Sequence, residues 1–118
     1  MKKIYHLRTC DTCKRIIDEI NLPENFISQD IKSEPITNDQ LEGMKQLAGS
    51  YEALFSKRAR LYKERDLKNK KLSETDFKNL ILEHYTFLKR PVIIVNDSIF
   101  IGNSKKTVET AKQAIHEQ

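Results

Sequence analysis

Glycine and proline are scarce, three of each in 118 residues. That excludes a collagen-like repeat and a Pro/Gly-rich disordered chain. No apolar run approaches the roughly 18 residues of a membrane-spanning helix. Apolar residues are themselves few: 38% of the chain is hydrophobic and 32% charged, against about 45–50% and about 25% in an average domain. A modest core under a surface of charged helices is therefore expected. The length suits one domain, 1–118, which can bury roughly two-thirds of its unfolded surface without help from a metal or a disulfide. The start, Met1-Lys2-Lys3, is basic, but Tyr5-His6-Leu7-Arg8 is not the apolar centre of a signal peptide. The expected location is the cytoplasm, with no membrane partner.

Cysteine is scarcer still. The two present, Cys10 and Cys13, are separated by two residues. A bridge between them closes almost no loop and would constrain the unfolded chain little. Structural zinc needs four ligands. His6, His84 and His116 lack the spacing of a zinc-binding histidine pair, so no metal is expected. In a cytosolic chain, Cys-x-x-Cys points instead to redox chemistry.

The elements follow from periodicity and punctuation. Residues 3–7 read as a strand and 10–20 as a helix with Ile16, Ile17 and Ile20 on one face, stopped by Asn21-Leu22-Pro23. Residues 26–31 read as a second strand, completing the start of a parallel βαβ unit. Thr37 to Gln40 is a capping box, followed by the apolar face Leu41, Met44, Leu47 and Ala48, with Gly49 as a stop. Tyr51, Leu54 and Phe55 suggest a short helix. Ser73 caps another, whose spacing predicts an apolar face of Phe77, Leu80, Ile81 and Leu88. Arg90-Pro91-Val92-Ile93-Ile94-Val95 is a strand entered through proline, Asn96-Asp97 a turn, and Ser98 to Ile101 its hairpin partner. A last helix from about Ser104 turns Val108, Ala111 and Ile115 inward. The order is that of an α/β, thioredoxin-like βαβ…ββα fold. A helical insertion and following helix, approximately 35–88, separate the second and third strands, because a single crossover helix needs far fewer residues.

Cys10 falls where the first strand meets the first helix. Exposed backbone N–H groups and the helix dipole favour an anion there, and Arg8, Lys14 and Arg15 add positive charge against Asp11. Such surroundings lower a thiol's pKa from about 8.5 toward 3.5–7.5. Cys10 is the expected nucleophile toward a disulfide, a peroxide or an oxyanion, and Cys13, one turn on, the thiol that resolves the intermediate. The alternative is two ordinary reduced thiols, one of them buried. His6 would either stabilise the thiolate as an imidazolium, hydrogen-bond an oxyanion, or simply end a strand. Pro91 is acceptable at a strand's first residue. In a thioredoxin-like fold that place holds a cis-proline facing the reactive cysteine, which would bring Arg90 near the thiol. Arg58 is a second guanidinium suited to bidentate oxyanion binding, unless it is a solvated surface charge.

These segments together resemble the arsenate reductase (ArsC)/Spx family over essentially the whole chain. Tyr5 to Cys10 resembles the approach to that family's catalytic cysteine, with a histidine four residues before it. Cys10-Asp11-Thr12-Cys13-Lys14 resembles the Cys-x-x-Cys of Spx, a redox switch. Leu54-Phe55-Ser56-Lys57-Arg58 with Tyr62-Lys63, and Leu88-Lys89-Arg90-Pro91-Val92, resemble two further segments in order. The resemblance implies a thioredoxin-like fold with a helical insertion, and a catalytic cysteine that attacks arsenate, with glutathione and glutaredoxin completing the reduction. It places two of three oxyanion-binding arginines at Arg58 and Arg90. The third would fall near Ile101-Gly102-Asn103, where there is no arginine. Cys13 stands for the usual serine, Lys14 for an arginine and Ser56 for an asparagine. These departures point toward general thiol-disulfide or glutathione-dependent reduction. The electron donor is then glutathione, or a glutaredoxin or thioredoxin, with no bound cofactor and a small anionic or thiol substrate. The resemblance to Spx implies the alternative, a redox-sensing regulator that binds the RNA polymerase α subunit.

Residues 57–71 hold eight basic residues (Lys57, Arg58, Arg60, Lys63, Arg65, Lys68, Lys70 and Lys71) against Glu64 and Asp66. The segment is thus +6, and the remainder −2, within a net +4. It reads as an exposed helix and loop or as a funnel for anionic substrates. No recognised module or stacking-aromatic motif accompanies the charge, so direct nucleic-acid binding is not expected.

Overall fold

Strand β1 (Lys2–His6) leads into helix α1 (Asp11–Ile20), and β2 (Ile27–Asp30) returns parallel to β1. The computed structural model describes residues 1–117. Helices α2 (Asn38–Ala48), α3 (Arg60–Glu64) and α4 (Glu74–Glu83) follow, with single 3₁₀ turns at Glu52–Leu54, Leu67–Asn69 and Tyr85–Phe87. The chain ends with the hairpin β3 (Val92–Val95) and β4 (Ser98–Ile101), then helix α5 (Lys105–His116). The sheet order is β2-β1-β3-β4, with β3 antiparallel to both neighbours. This is the α/β, thioredoxin-like βαβ…ββα arrangement with helices inserted between β2 and β3. Among the described residues, no helix is long and apolar enough to cross a membrane.

The chain divides into two units, Met1–Glu34 with Arg90–Gln118, and Pro35–Lys89. In the first, Ile4 of β1 and Ile93 and Val95 of β3 pack with Ile16 and Ile20 of α1 and Val108, Ala111 and Ile115 of α5. Period two in the strands and 3.6 in the helices bring these residues to one layer. Each large aliphatic side chain buried this way contributes about 1.5–3 kcal/mol. Asn21 ends α1 in the left-handed conformation at φ 57°, and its N–H bonds to Ile17 O. His116 joins the two helices, its Nε2 lying 2.7 Å from Ile20 O.

The second unit centres on Phe55, whose ring stacks on Phe87 and contacts Phe77 and Tyr62. Both capping boxes form, Thr37 with Gln40 and Ser73 with Asp76. Gly49 closes α2 at φ 95°, a conformation that costs glycine little. Thr37→Ala should lower unfolding free energy by about 1 kcal/mol, because the Gln40 N–H loses its acceptor. Urea denaturation measures this, and no shift in midpoint would contradict it.

Helix α4 is shorter than its apolar spacing suggests. The helix begun at Ser73 does not continue to Leu88: it ends at Glu83, where His84 turns extended at φ −150°. His84 Nδ1 accepts the Thr86 N–H and caps the next 3₁₀ turn. Leu88 is buried instead through an antiparallel bridge with Phe55. A local capping bond thus outcompetes apolar periodicity. The basic segment 57–71 is largely exposed, and three of its cations pair with glutamates: Lys57 with Glu52, Arg60 with Glu64 and Arg65 with Glu83.

Candidate functional site

Cys10 is the N-cap of α1, with extended backbone at φ −89° and ψ 116°. Its own N–H bonds to Leu7 O at 3.0 Å, closing the turn Leu7-Arg8-Thr9-Cys10. The side chain makes no conventional capping bond, yet it stands at the unsatisfied amides of the first helical turn. Partial burial pushes the Cys10 thiol upward. The backbone N–H and thiol of Cys13, the Thr12 N–H and the Arg90 charge outweigh burial, so its pKa lies below that of an ordinary thiol.

Cys13 is fully buried on the inner face of α1. Burial dominates and pushes its thiol up to about 11, although the Leu7 N–H and Arg90 favour its ionised form. The neighbouring Cys10 charge pushes it further in the same direction. Two chemically identical side chains are thus split: one is inclined to ionise and half-exposed, the other is neutral and hidden.

Arg90 reaches both thiols electrostatically. It precedes Pro91, the Arg90–Pro91 peptide is cis, and Pro91 is buried at the start of β3. Arg8, Lys14 and Arg15, the nearby cations in sequence, are all exposed. The charge acting on Cys10 is that of Arg90, because β3 lies beside β1 in the sheet.

His6 ends β1 opposite Asp30 of β2. Burial lowers its pKa below the ordinary imidazole value, only partly opposed by Asp30. A neutral ring is favoured near pH 7, which weighs against the imidazolium role. Its Nδ1 is buried and has no hydrogen-bond partner among the described residues. Arg58 belongs to the second unit and is exposed before α3. The first unit therefore brings Cys10, Cys13 and Arg90 together at the β1–α1 junction, with Pro91 following Arg90. Among the described residues, no group of three or more His, Cys, Asp and Glu side chains is arranged to hold a metal ion.

No local sequence pattern points to Asp30. Its Oδ1 accepts the Arg8 N–H at 3.0 Å and its Oδ2 accepts the Ser33 hydroxyl at 2.9 Å. These bonds, the Arg8 N–H foremost, hold its carboxyl below the usual range. Only the parallel register of β1 and β2 could have revealed this contact.

A thioredoxin-like unit with a Cys-x-x-Cys at the start of α1, a cis-proline just before β3 and a helical insertion defines the class. The ArsC family model matches residues 5–111, and the chain belongs to the ArsC family. It is similar to the global transcriptional regulator Spx of Bacillus subtilis, 22% identical over 112 residues, covering 92% of this chain and 84% of that one. Among solved structures it is similar to the arsenate reductase from Vibrio cholerae, with a TM-score of 0.77 at 19% identity over 96% of each chain. A Staphylococcus aureus protein known from its solution structure aligns with a TM-score of 0.72 at 27% identity, over 93% of this chain and 97% of that one.

Proposed function

We propose that this ArsC-family chain is a cytoplasmic thiol-disulfide oxidoreductase with Cys10 as nucleophile and Cys13 as resolving thiol. The observation that carries the reading is the unequal placement of the two thiols: Cys10 is half-exposed at the N-cap of α1, and Cys13 is fully buried on the helix's inner face. The Cys10 thiolate attacks one sulfur of a substrate disulfide. A mixed disulfide forms and the other substrate sulfur leaves as a thiolate. Cys13 then attacks the Cys10 sulfur as its proton passes to the departing second thiol. The substrate has gained two electrons and the protein holds a Cys10–Cys13 disulfide. Glutathione, or a glutaredoxin or thioredoxin, returns the two electrons. Keeping Cys13 protonated until the mixed disulfide exists prevents the two sulfurs from competing for substrate.

Arg90 favours the thiolate and is suited to a small anionic or thiol substrate such as glutathione. His6, as a neutral ring, is suited to hydrogen-bonding such a substrate. For Arg58, an anion-binding role rests on the sequence resemblance alone. Alkylation by iodoacetamide against pH tests the first step. For wild type and Cys13→Ser the rate should rise with a midpoint below about 8.5, the ordinary thiol value. A midpoint at or above it would remove the activated nucleophile. Turnover of a glutathione mixed disulfide, and of arsenate with glutathione and glutaredoxin, then separates disulfide from oxyanion reduction.

The similarity to Spx, a global transcriptional regulator, favours a second reading, a redox sensor that binds the RNA polymerase α subunit. It shares the thiol chemistry but not the cycle. A sensor oxidises once and changes its affinity for polymerase, whereas an enzyme turns over.

A further inference from the structure

The turn Arg8-Thr9 that delivers Cys10 to the helix end is exposed, so little packing holds it. It has two tethers. One is internal, from Cys10 N–H to Leu7 O. The other crosses to a neighbouring strand, from Arg8 N–H to Asp30 Oδ1 at 3.0 Å.

Asp30 is itself held in place. It is the last residue of β2, paired in register with His6, the last residue of β1. The ladder runs one bond further, from Ile31 N–H to His6 O at 2.9 Å. Beyond it the chain turns back, with Glu34 N–H on Asp30 O and the Ser33 hydroxyl on Asp30 Oδ2. The carboxylate is thus fixed from behind by its own turn while its other oxygen holds the Arg8 amide. A charged acceptor makes that bond stronger than a neutral one would be. Resting on the reading of Cys10 as nucleophile, we infer that Asp30 is a positioning residue, whose carboxylate fixes the β1–α1 turn so that the Cys10 sulfur stays at the first-turn amides of α1. Asp30 reaches the thiol only through the backbone. Its negative charge by itself would disfavour a nearby thiolate, so geometry and charge predict opposite effects.

The test compares wild type, Asp30→Asn and Asp30→Ala. Asparagine keeps an oxygen for the Arg8 N–H and a polar group for Ser33 but removes the charge. Alanine removes both. Amide exchange by NMR should find the Arg8 N–H protected in wild type and Asp30→Asn, and exchanging at least about tenfold faster in Asp30→Ala. At a pH below the thiol midpoint, Cys10 alkylation should slow roughly three- to tenfold in Asp30→Ala, and stay within about twofold of wild type in Asp30→Asn, as the thiolate fraction dictates. Unchanged or faster alkylation in Asp30→Ala overturns the proposal, as does an Asp30→Asn protein as slow as Asp30→Ala. Should Asp30→Ala fail to fold, Asp30→Glu takes its place. It keeps the charge but displaces the acceptor by a methylene, and should be slowed while Asp30→Asn is not. An ordinary Cys10 midpoint in wild type would overturn the proposed function. The role of Asp30 falls only on the differences among variants.

Discussion

Cys10→Ser should reduce turnover of a disulfide substrate by a factor of about 10³ or more, the loss expected when a nucleophile is removed. A serine hydroxyl at the same N-cap does not ionise near neutral pH. Cys13→Ser should behave differently. Its Cys10 still attacks, so the first substrate thiol is released, but the mixed disulfide has no internal thiol to resolve it. Intact-mass measurement after one turnover should find the adduct on Cys13→Ser, the unmodified mass on Cys10→Ser, and the loss of two hydrogen atoms on wild type. Adduct on Cys10→Ser, or equal activity in the two variants, would reverse or remove the assigned roles. The asymmetry has a structural cause. Cys13 is packed on the buried face of α1 beside Ile16 and Ile20, while Cys10 ends the helix and remains half-exposed.

The largest loss of stability should come from Phe55→Ala. Phe55 is 1% exposed, with ring centroids 5.4 Å from Phe87, 4.8 Å from Phe77 and 5.9 Å from Tyr62. Truncating it removes transfer energy from one large ring and leaves a cavity among three others, a cost of about 3–5 kcal/mol. The backbone on either side is tied independently, by Ser56 N–H to Phe87 O and Lys89 N–H to Leu54 O, which restrains the unit from collapsing into the cavity. Urea unfolding of wild type, Phe55→Leu and Phe55→Ala measures it. Phe55→Leu should lose less, since most of the volume is kept. A loss below about 1 kcal/mol for the alanine variant, the size of an average point mutation, would contradict this account of the core.

Most of the fold is legible in the sequence because its signals are local. Thr37 and Ser73 announce helix starts, Gly49 a helix end, and Asn96-Asp97 a hairpin, each through chemistry within a few residues. Leu88 shows where local pattern fails. Its spacing from Phe77, Leu80 and Ile81 is helical, but His84 breaks the helix by bonding its own chain, and Leu88 finds burial by bridging to Phe55.

The candidate site divides along the same line. The sequence by itself determined that two cysteines lie one helical turn apart at a strand-to-helix junction, and that the first lies at the helix's positive end. Spacing is a covalent fact, and helix polarity follows from it. The tertiary structure decided which charge acts on the thiols, what bonds to the turn and which cysteine is buried. Arg90 reaches Cys10 because β3 pairs with β1. Asp30 reaches Arg8 because β2 pairs with β1 on the other side. Cys13 is kept protonated first by burial, which exists only once α1 packs on the sheet. Scarcity of cysteine excluded a disulfide scaffold, but the unequal burial of the two that remain comes from contacts between segments far apart in the chain.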